Sequence, residues 1–356
     1  MANILDYINW RGDLTFTANP FNEIDNVILS CLSYIDYEDT VPTYPKANRV
    51  SYQNAVKKVF EKKQKDKIVL GLIVPKTIVK LMDIAYLTKR YGQLYVSNYI
   101  NYIDKDTKTQ FSAVVFHLND KQIYISYRGT DDTLIGWQEN IDMLYTAPTG
   151  AQVMGVKYLE EIAELYPNTK IYLGGHSKGG NIANYATIYA KEEIQDRIIN
   201  CYTNDGQGMD KEYVDLDKYE RVKDKIIRII PENDVVGMIF DTFAGSTIIC
   251  KSTAKGVYQH DPFSWKINVT EFQTVEKIRP SAVKLDMQLT KLIKTVPTED
   301  KIVFGKNLYD FIKTSQLDTL MDCKKESIKL LKYLNKFNGK SKKIFWQVFG
   351  EFIFFK

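Results

Sequence analysis

Residues 171–186 read IYLGGHSKGGNIANYA, and inside them Gly175-His176-Ser177-Lys178-Gly179 forms a G-x-S-x-G motif. A serine on a sharp strand-to-helix turn is held in a strained backbone conformation, so its hydroxyl stands clear of the sheet edge. Side chains two residues to either side would collide in that turn, which requires glycine at Gly175 and Gly179. The helix that follows points its N-terminus near the serine, where developing negative charge is favoured. Small residues on it, Gly180, Ala183 and Ala186, let it pack close to the strand. A phosphate-binding loop fails on order: it needs Gly-Lys-Ser/Thr at its end, and here Lys178 follows the serine. A glycine-rich turn that merely packs tightly is the plain alternative. The buried strand before and the helix after favour the elbow.

Outward from this point the pattern is strand, helix, strand. GAQVMGVKYLEEIAELYP (150–167) reads as an amphipathic helix ended by Pro167, and KGGNIANYATIYAKEEI (178–194) as another helix. IYLGGH, IINCYTND (198–205) and IIRIIPEND (226–234) read as buried strands. Such spacing indicates parallel βαβ units whose strands are covered on both faces. Upstream, LYVSNYINYI, FSAVVFHL and QIYISYRG (94–129) alternate or run apolar between polar turns, an antiparallel meander of about three strands. Helices are expected over 21–35, with Asn22 as cap, and over about 75–91, closed by Gly92. Residues 280–356 are helical in pattern. The expectation is an α/β-hydrolase fold: a mixed, mostly parallel sheet flanked by helices, with N- and C-terminal helical extensions. Residues 1–275 would form the hydrolase domain and 276–356 a helical extension packed on it.

A serine nucleophile needs a general base, usually histidine, and the chain has three. His176 sits inside the elbow with its ring directed away from the neighbouring hydroxyl. His117 lies within a strand of the meander, a place for a packed or edge histidine. His260, in VYQHDPFSW downstream of the parallel strands, stands where the chain order serine, acid, histidine puts the base. The acid that orients the imidazole has two candidates. Asp234, past the later strand, is preferred; Asp205, ending the earlier strand in CYTNDGQG, is the alternative and could instead shape a turn. Gly206-Gln207-Gly208 lacks the third glycine of a dinucleotide fingerprint. For the tetrahedral oxyanion, one donor is the backbone N–H of Lys178. The second comes from ISYRGTDDTLIGWQENIDM (125–143), where a strand ends at Arg128-Gly129 and a polar turn with Thr130 follows.

Tyr127-Arg128-Gly129-Thr130 with Trp137, then GGHSKGGN, then PENDVV, resembles the motif series of the class 3 (fungal-type) lipases. The resemblance implies that Thr130 is the oxyanion residue and Asp234 the acid. The stretches YINWRGDLTFTANPFNEIDNVILSCLSYIDY and QHDPFSW further resemble a bacterial family of uncharacterised, lipase-like α/β hydrolases, and the likeness covers most of residues 1–270. Lys178 departs from the class 3 pattern, where an apolar residue usually follows the serine. A cation there would either favour an acidic or phosphate-bearing substrate or be solvated.

Composition agrees with a globular enzyme: 44% hydrophobic, 26% charged and a net charge of +4, which gives no footing for nucleic acid. Four scattered cysteines without a C-x-x-C pair read as reduced core residues rather than a metal site. No cofactor or metal is implied, because the nucleophile is activated by its neighbours. The N-terminus lacks the apolar core of a signal peptide and no run approaches a membrane span, so a cytoplasmic protein is expected. WRGD (10–13) reads as a fixed turn with Arg11 and Asp13 paired. The basic, aromatic C-terminus (323–356) reads as a helix docked on the body, with peripheral contact to an anionic membrane as the alternative. The expected reaction is cleavage of a small-molecule or lipid carboxylic ester by Ser177, His260 and Asp234. A non-catalytic lipid- or partner-binding protein, and an acyltransferase or peptidase with the same triad, are the other readings.

Overall fold

The apolar runs assemble into one eight-stranded sheet in the computed structural model, which describes residues 2–343 apart from 73, 144, 234–235, 281, 285–286, 288–295 and 336. The strands lie side by side in chain order: β1 (Val50–Ser51), β2 (Tyr95–Asp104), β3 (Thr109–Asn119), β4 (Gln122–Tyr127), β5 (Lys170–His176), β6 (Ile198–Asn204), β7 (Ile226–Pro231) and β8 (Ser246–Cys250). Pairing is antiparallel from β1 to β4 and parallel from β4 to β8. This is the α/β-hydrolase architecture that the sequence leads one to expect. The period of two divides each strand between two cores. On β3, Val114 and Phe116 join the core on one face, while Phe111, Ala113 and Val115 join that on the other.

The first face is covered by the N-terminal helices α1 (Ile4–Arg11), α2 (Glu23–Leu32), α3 (Tyr52–Lys62) and α4 (Thr77–Ala85), with the single turn α5 (Lys89–Gly92). Asn22 caps α2 as expected, accepting from the N–H groups of Ile24 and Asp25. The helix expected over 75–91 is two: the chain leaves α4 after Ala85 and restarts at Thr88, whose hydroxyl accepts from Tyr91 N. A buried ion pair fixes this layer. The Arg90 guanidinium holds both oxygens of Asp25, at 2.7 and 2.5 Å, and donates to the carbonyls of Leu14, Asn19 and Pro20. Tyr91 also donates to Asp25, at 2.7 Å. Removing either charge would leave the other buried and alone, at a cost of about 3–5 kcal/mol. The expected Arg11–Asp13 pair does not form. Asp13 is exposed, and the turn is fixed through the Gly12 carbonyl, which accepts from Arg90 N at 2.9 Å.

The second face is covered by α7 (Gly150–Leu165) and α8 (Lys178–Tyr189), preceded by α6 (Leu134–Asp142) and followed by α9 (Glu192–Gln195) and α10 (Leu216–Val222). A third apolar cluster joins Leu134, Ile135 and Ile141 of α6 to α11 (Thr298–Ser315), α12 (Leu320–Lys325) and α13 (Ser327–Leu334) through Phe304, Leu308, Phe311 and Leu330. The C-terminal segment thus packs directly on α6. Its aromatic end, 344–356, lies outside the described residues. All four cysteines are buried free thiols. No helix among the described residues is long and apolar enough to cross a membrane.

Candidate active site

Ser177 has φ 58° and ψ −131°, a backbone conformation that non-glycine residues rarely occupy and that costs energy to hold. The turn is held by Ser177 N donating to the carbonyl of Asn204, at 3.0 Å, from the neighbouring strand. The flanking glycines are required by space. A side chain on Gly175 would strike the carbonyls of Gly179 and Tyr127, and one on Gly179 would strike the backbone of Tyr127 and Arg128. Lys178 opens α8, so its N–H has no carbonyl within the helix to bond.

Three adjacent strands deliver their C-terminal ends to this point. Thr130 follows β4, Ser177 follows β5 and Asp205 follows β6. His260 arrives from beyond β8, at the end of a 3-10 turn spanning Gly256–His260. The turn is anchored through the buried Gln259, whose carbonyl accepts from Trp265 Nε1 at 2.8 Å and whose side chain accepts from Asn233 N and donates to the carbonyl of Ala254. The carboxylate on the imidazole is that of Asp205: Oδ2 stands 2.8 Å from His260 Nδ1. Asp205 Oδ1 accepts from Gly237 N at 3.0 Å, and the Asp205 side chain is only 1% exposed. The expectation ranked Asp234 first and Asp205 second; Asp205 is the carboxylate that the described residues bring to the imidazole. The imidazole meets this carboxylate at the end of β6, the strand beside the one that leads into Ser177. Asp234 lies outside the described residues.

His176 packs against His260. Its ring lies 4.4 Å from that of His260, and its Nε2 is 2.8 Å from the His260 carbonyl. A carbonyl only accepts, so Nε2 carries the proton and Nδ1 is left to accept from the Tyr34 hydroxyl, 3.3 Å away. Burial, with the adjacent His260, keeps His176 well below the usual histidine range and therefore neutral. The Tyr34 hydroxyl also lies against Gly129, the residue before Thr130. His117 is a packed histidine, 2.8 Å from Ser97 Oγ and pushed down to about 4 by burial.

A family model described as Mbeg1-like matches residues 85–310, well over half of the chain. The chain belongs to the Mbeg1-like family. No curated protein matches it. Among solved structures, similarity is found to a fungal lipase in an inhibitor complex, at 15% identity over 80% of this chain and 94% of that one, TM-score 0.42. M37 lipase is similar at 14% identity, over 79% and 97% of the two chains, TM-score 0.38. Rhizomucor miehei lipase in its propeptide complex is similar at 17%, over 58% and 67%, TM-score 0.35.

In this Mbeg1-like chain Thr130 and Lys178 are held by two residues that the sequence did not single out. Asn140 Nδ2 donates to Thr130 Oγ1 at 2.7 Å, which leaves the threonine's own hydroxyl proton to be given elsewhere. Glu139, the residue before it, holds Lys178. The lysine neither faces substrate nor is solvated. Its side chain is fully buried, with Nζ 2.8 Å from Glu139 Oε2 and 2.8 Å from the carbonyl of Gln110. Arg128 pairs with Asp131 at 2.9 Å and donates to Asn101, which frames the loop from β4 to α6. Among the described residues no cluster of three or more His, Cys, Asp or Glu is placed to hold a metal ion.

Proposed function

We propose that the chain is a serine hydrolase that cleaves a carboxylic ester, with a lipid ester as the substrate class. The reading rests above all on the pairing of His260 Nδ1 with the buried Asp205, beside a serine held in the strained elbow. With Nδ1 given to the carboxylate, Nε2 is the nitrogen that takes the proton of Ser177 as its oxygen attacks the ester carbonyl. The imidazolium then returns that proton to the leaving alcohol, and water releases the acyl group by the same steps. Asp205 fixes the tautomer and offsets the imidazolium charge. The oxyanion is received by the N–H of Lys178 and by Thr130, through its N–H or hydroxyl. The likeness to class 3 lipase motifs supports the ester as the bond attacked, and Ser177, Asp205 and His260 all fall within residues 85–310 that the Mbeg1-like model matches.

The test is hydrolysis of p-nitrophenyl esters from acetate to palmitate by wild type and Ser177→Ala. Turnover of at least one ester that Ser177→Ala abolishes is expected. Turnover that Ser177→Ala retains, or none from a folded wild type on any chain length, would remove the reading.

A further inference from the structure

Glu139 is buried and is tied to three elements at once. Its Oε2 accepts from Lys178 Nζ at 2.8 Å and from Gln110 N, at the start of β3, at 3.1 Å. Its Oε1 accepts from Ala151 N, in the first turn of α7, at 2.7 Å. Both partners of the ion pair are out of water, at 0% and 1% side-chain exposure. The carboxylate therefore has every strong contact that its burial demands, and the ammonium has a second acceptor in the Gln110 carbonyl.

The two ends of this arrangement lie on the two oxyanion residues. Lys178 supplies one donor from its backbone, while its side chain is anchored to α6. Asn140, next to Glu139 on the same helix, holds the hydroxyl of Thr130. One short helix thus touches both donors through consecutive side chains. Its opposite face, Leu134, Ile135 and Ile141, is pinned by Phe304 and Leu308 of α11. We propose that Glu139 is a positioning residue: through the buried pair with Lys178 it sets the distance between the two oxyanion donors. The proposal rests on the ester-hydrolase reading above. A strained turn followed by a long side chain fixed at its tip leaves the Lys178 N–H little freedom. Small errors in such placement are expensive, with about 1 Å costing up to roughly a hundredfold in rate.

A purely structural pair would move stability alone, so the test separates the two. Kinetics on the best p-nitrophenyl ester are measured for wild type, Glu139→Gln, and the double variant Glu139→Gln with Lys178→Met, beside thermal melting of each. Glu139→Gln should lower kcat by about tenfold or more with KM within about twofold, because an interaction made in the transition state is displaced. Its melting temperature should fall, since the lysine is left without its counter-charge. The double variant removes that orphan charge and should regain most of the melting temperature while kcat stays low. A folded variant of either kind whose kcat lies within about twofold of wild type would overturn the proposal. If Glu139→Gln does not fold, the double variant alone decides by the same criterion. A wild type without Ser177-dependent turnover would instead defeat the hydrolase reading, a result that the Ser177→Ala control reports separately.

Discussion

In the base half of the site, His260 is held by contacts that reach it from separate parts of the chain: Asp205 after β6, His176 in the elbow, and Trp265 through Gln259. In the oxyanion half, the nine residues of α6 provide both Asn140 for Thr130 and Glu139 for Lys178, and the C-terminal helices brace that one element from outside. On the proposed reading, the base is fixed by convergence and the oxyanion pocket by a single strut. Damage should differ accordingly. On that proposed reading, a lost contact in the base half acts on the proton transfers that His260 carries, whereas a lost contact on α6 shifts two donors together.

The largest effect expected from the base half is that of Asp205→Asn, which should lower kcat by about 10⁴-fold, because the amide presents the wrong partner to Nδ1. Asp234→Asn should change kcat by no more than about threefold. Steady-state kinetics of the two variants side by side check this, and a reversed order would move the acid to Asp234. Glu139→Gln stands below Asp205→Asn in expected size. The smallest effect is that of Tyr34→Phe, whose hydroxyl touches His176 on one side and Gly129 on the other, and so joins the halves. Loss of one such hydrogen bond should cost about threefold in kcat, again by steady-state kinetics. A loss of more than about thirtyfold would mean that the halves are coupled far more tightly than the two-part description allows.

The contrast also explains what was legible in the sequence. The elbow is written locally: Gly175 and Gly179 answer a steric demand within five residues, and the buried runs on either side declare the strand and helix. His260 followed by elimination among three histidines. Asp205 was visible but ranked behind Asp234, because strand order in the chain does not say which carboxylate reaches the imidazole. That depends on how the 256–260 turn folds back, and Gln259 sets the turn through Trp265, six residues on, and through Asn233, twenty-six residues before it. Lys178 was misjudged for the same kind of reason. A lysine beside a serine elbow reads as solvated until Glu139 is seen, and Glu139 lies 39 positions away in α6, a helix that the sequence reading did not assign. Short β8 was likewise hidden, since five residues carry too little pattern to stand out. Tyr34 had no signal beyond the end of a helical run.

Everything proposed for the site requires Ser177 to be an activated nucleophile, and labelling with a fluorescent fluorophosphonate tests that most directly. The reagent should attach to wild type at a single site, located on Ser177 by peptide mass, and should fail on both Ser177→Ala and His260→Ala. A folded wild type that takes up no label, or labelling that survives Ser177→Ala, would contradict it.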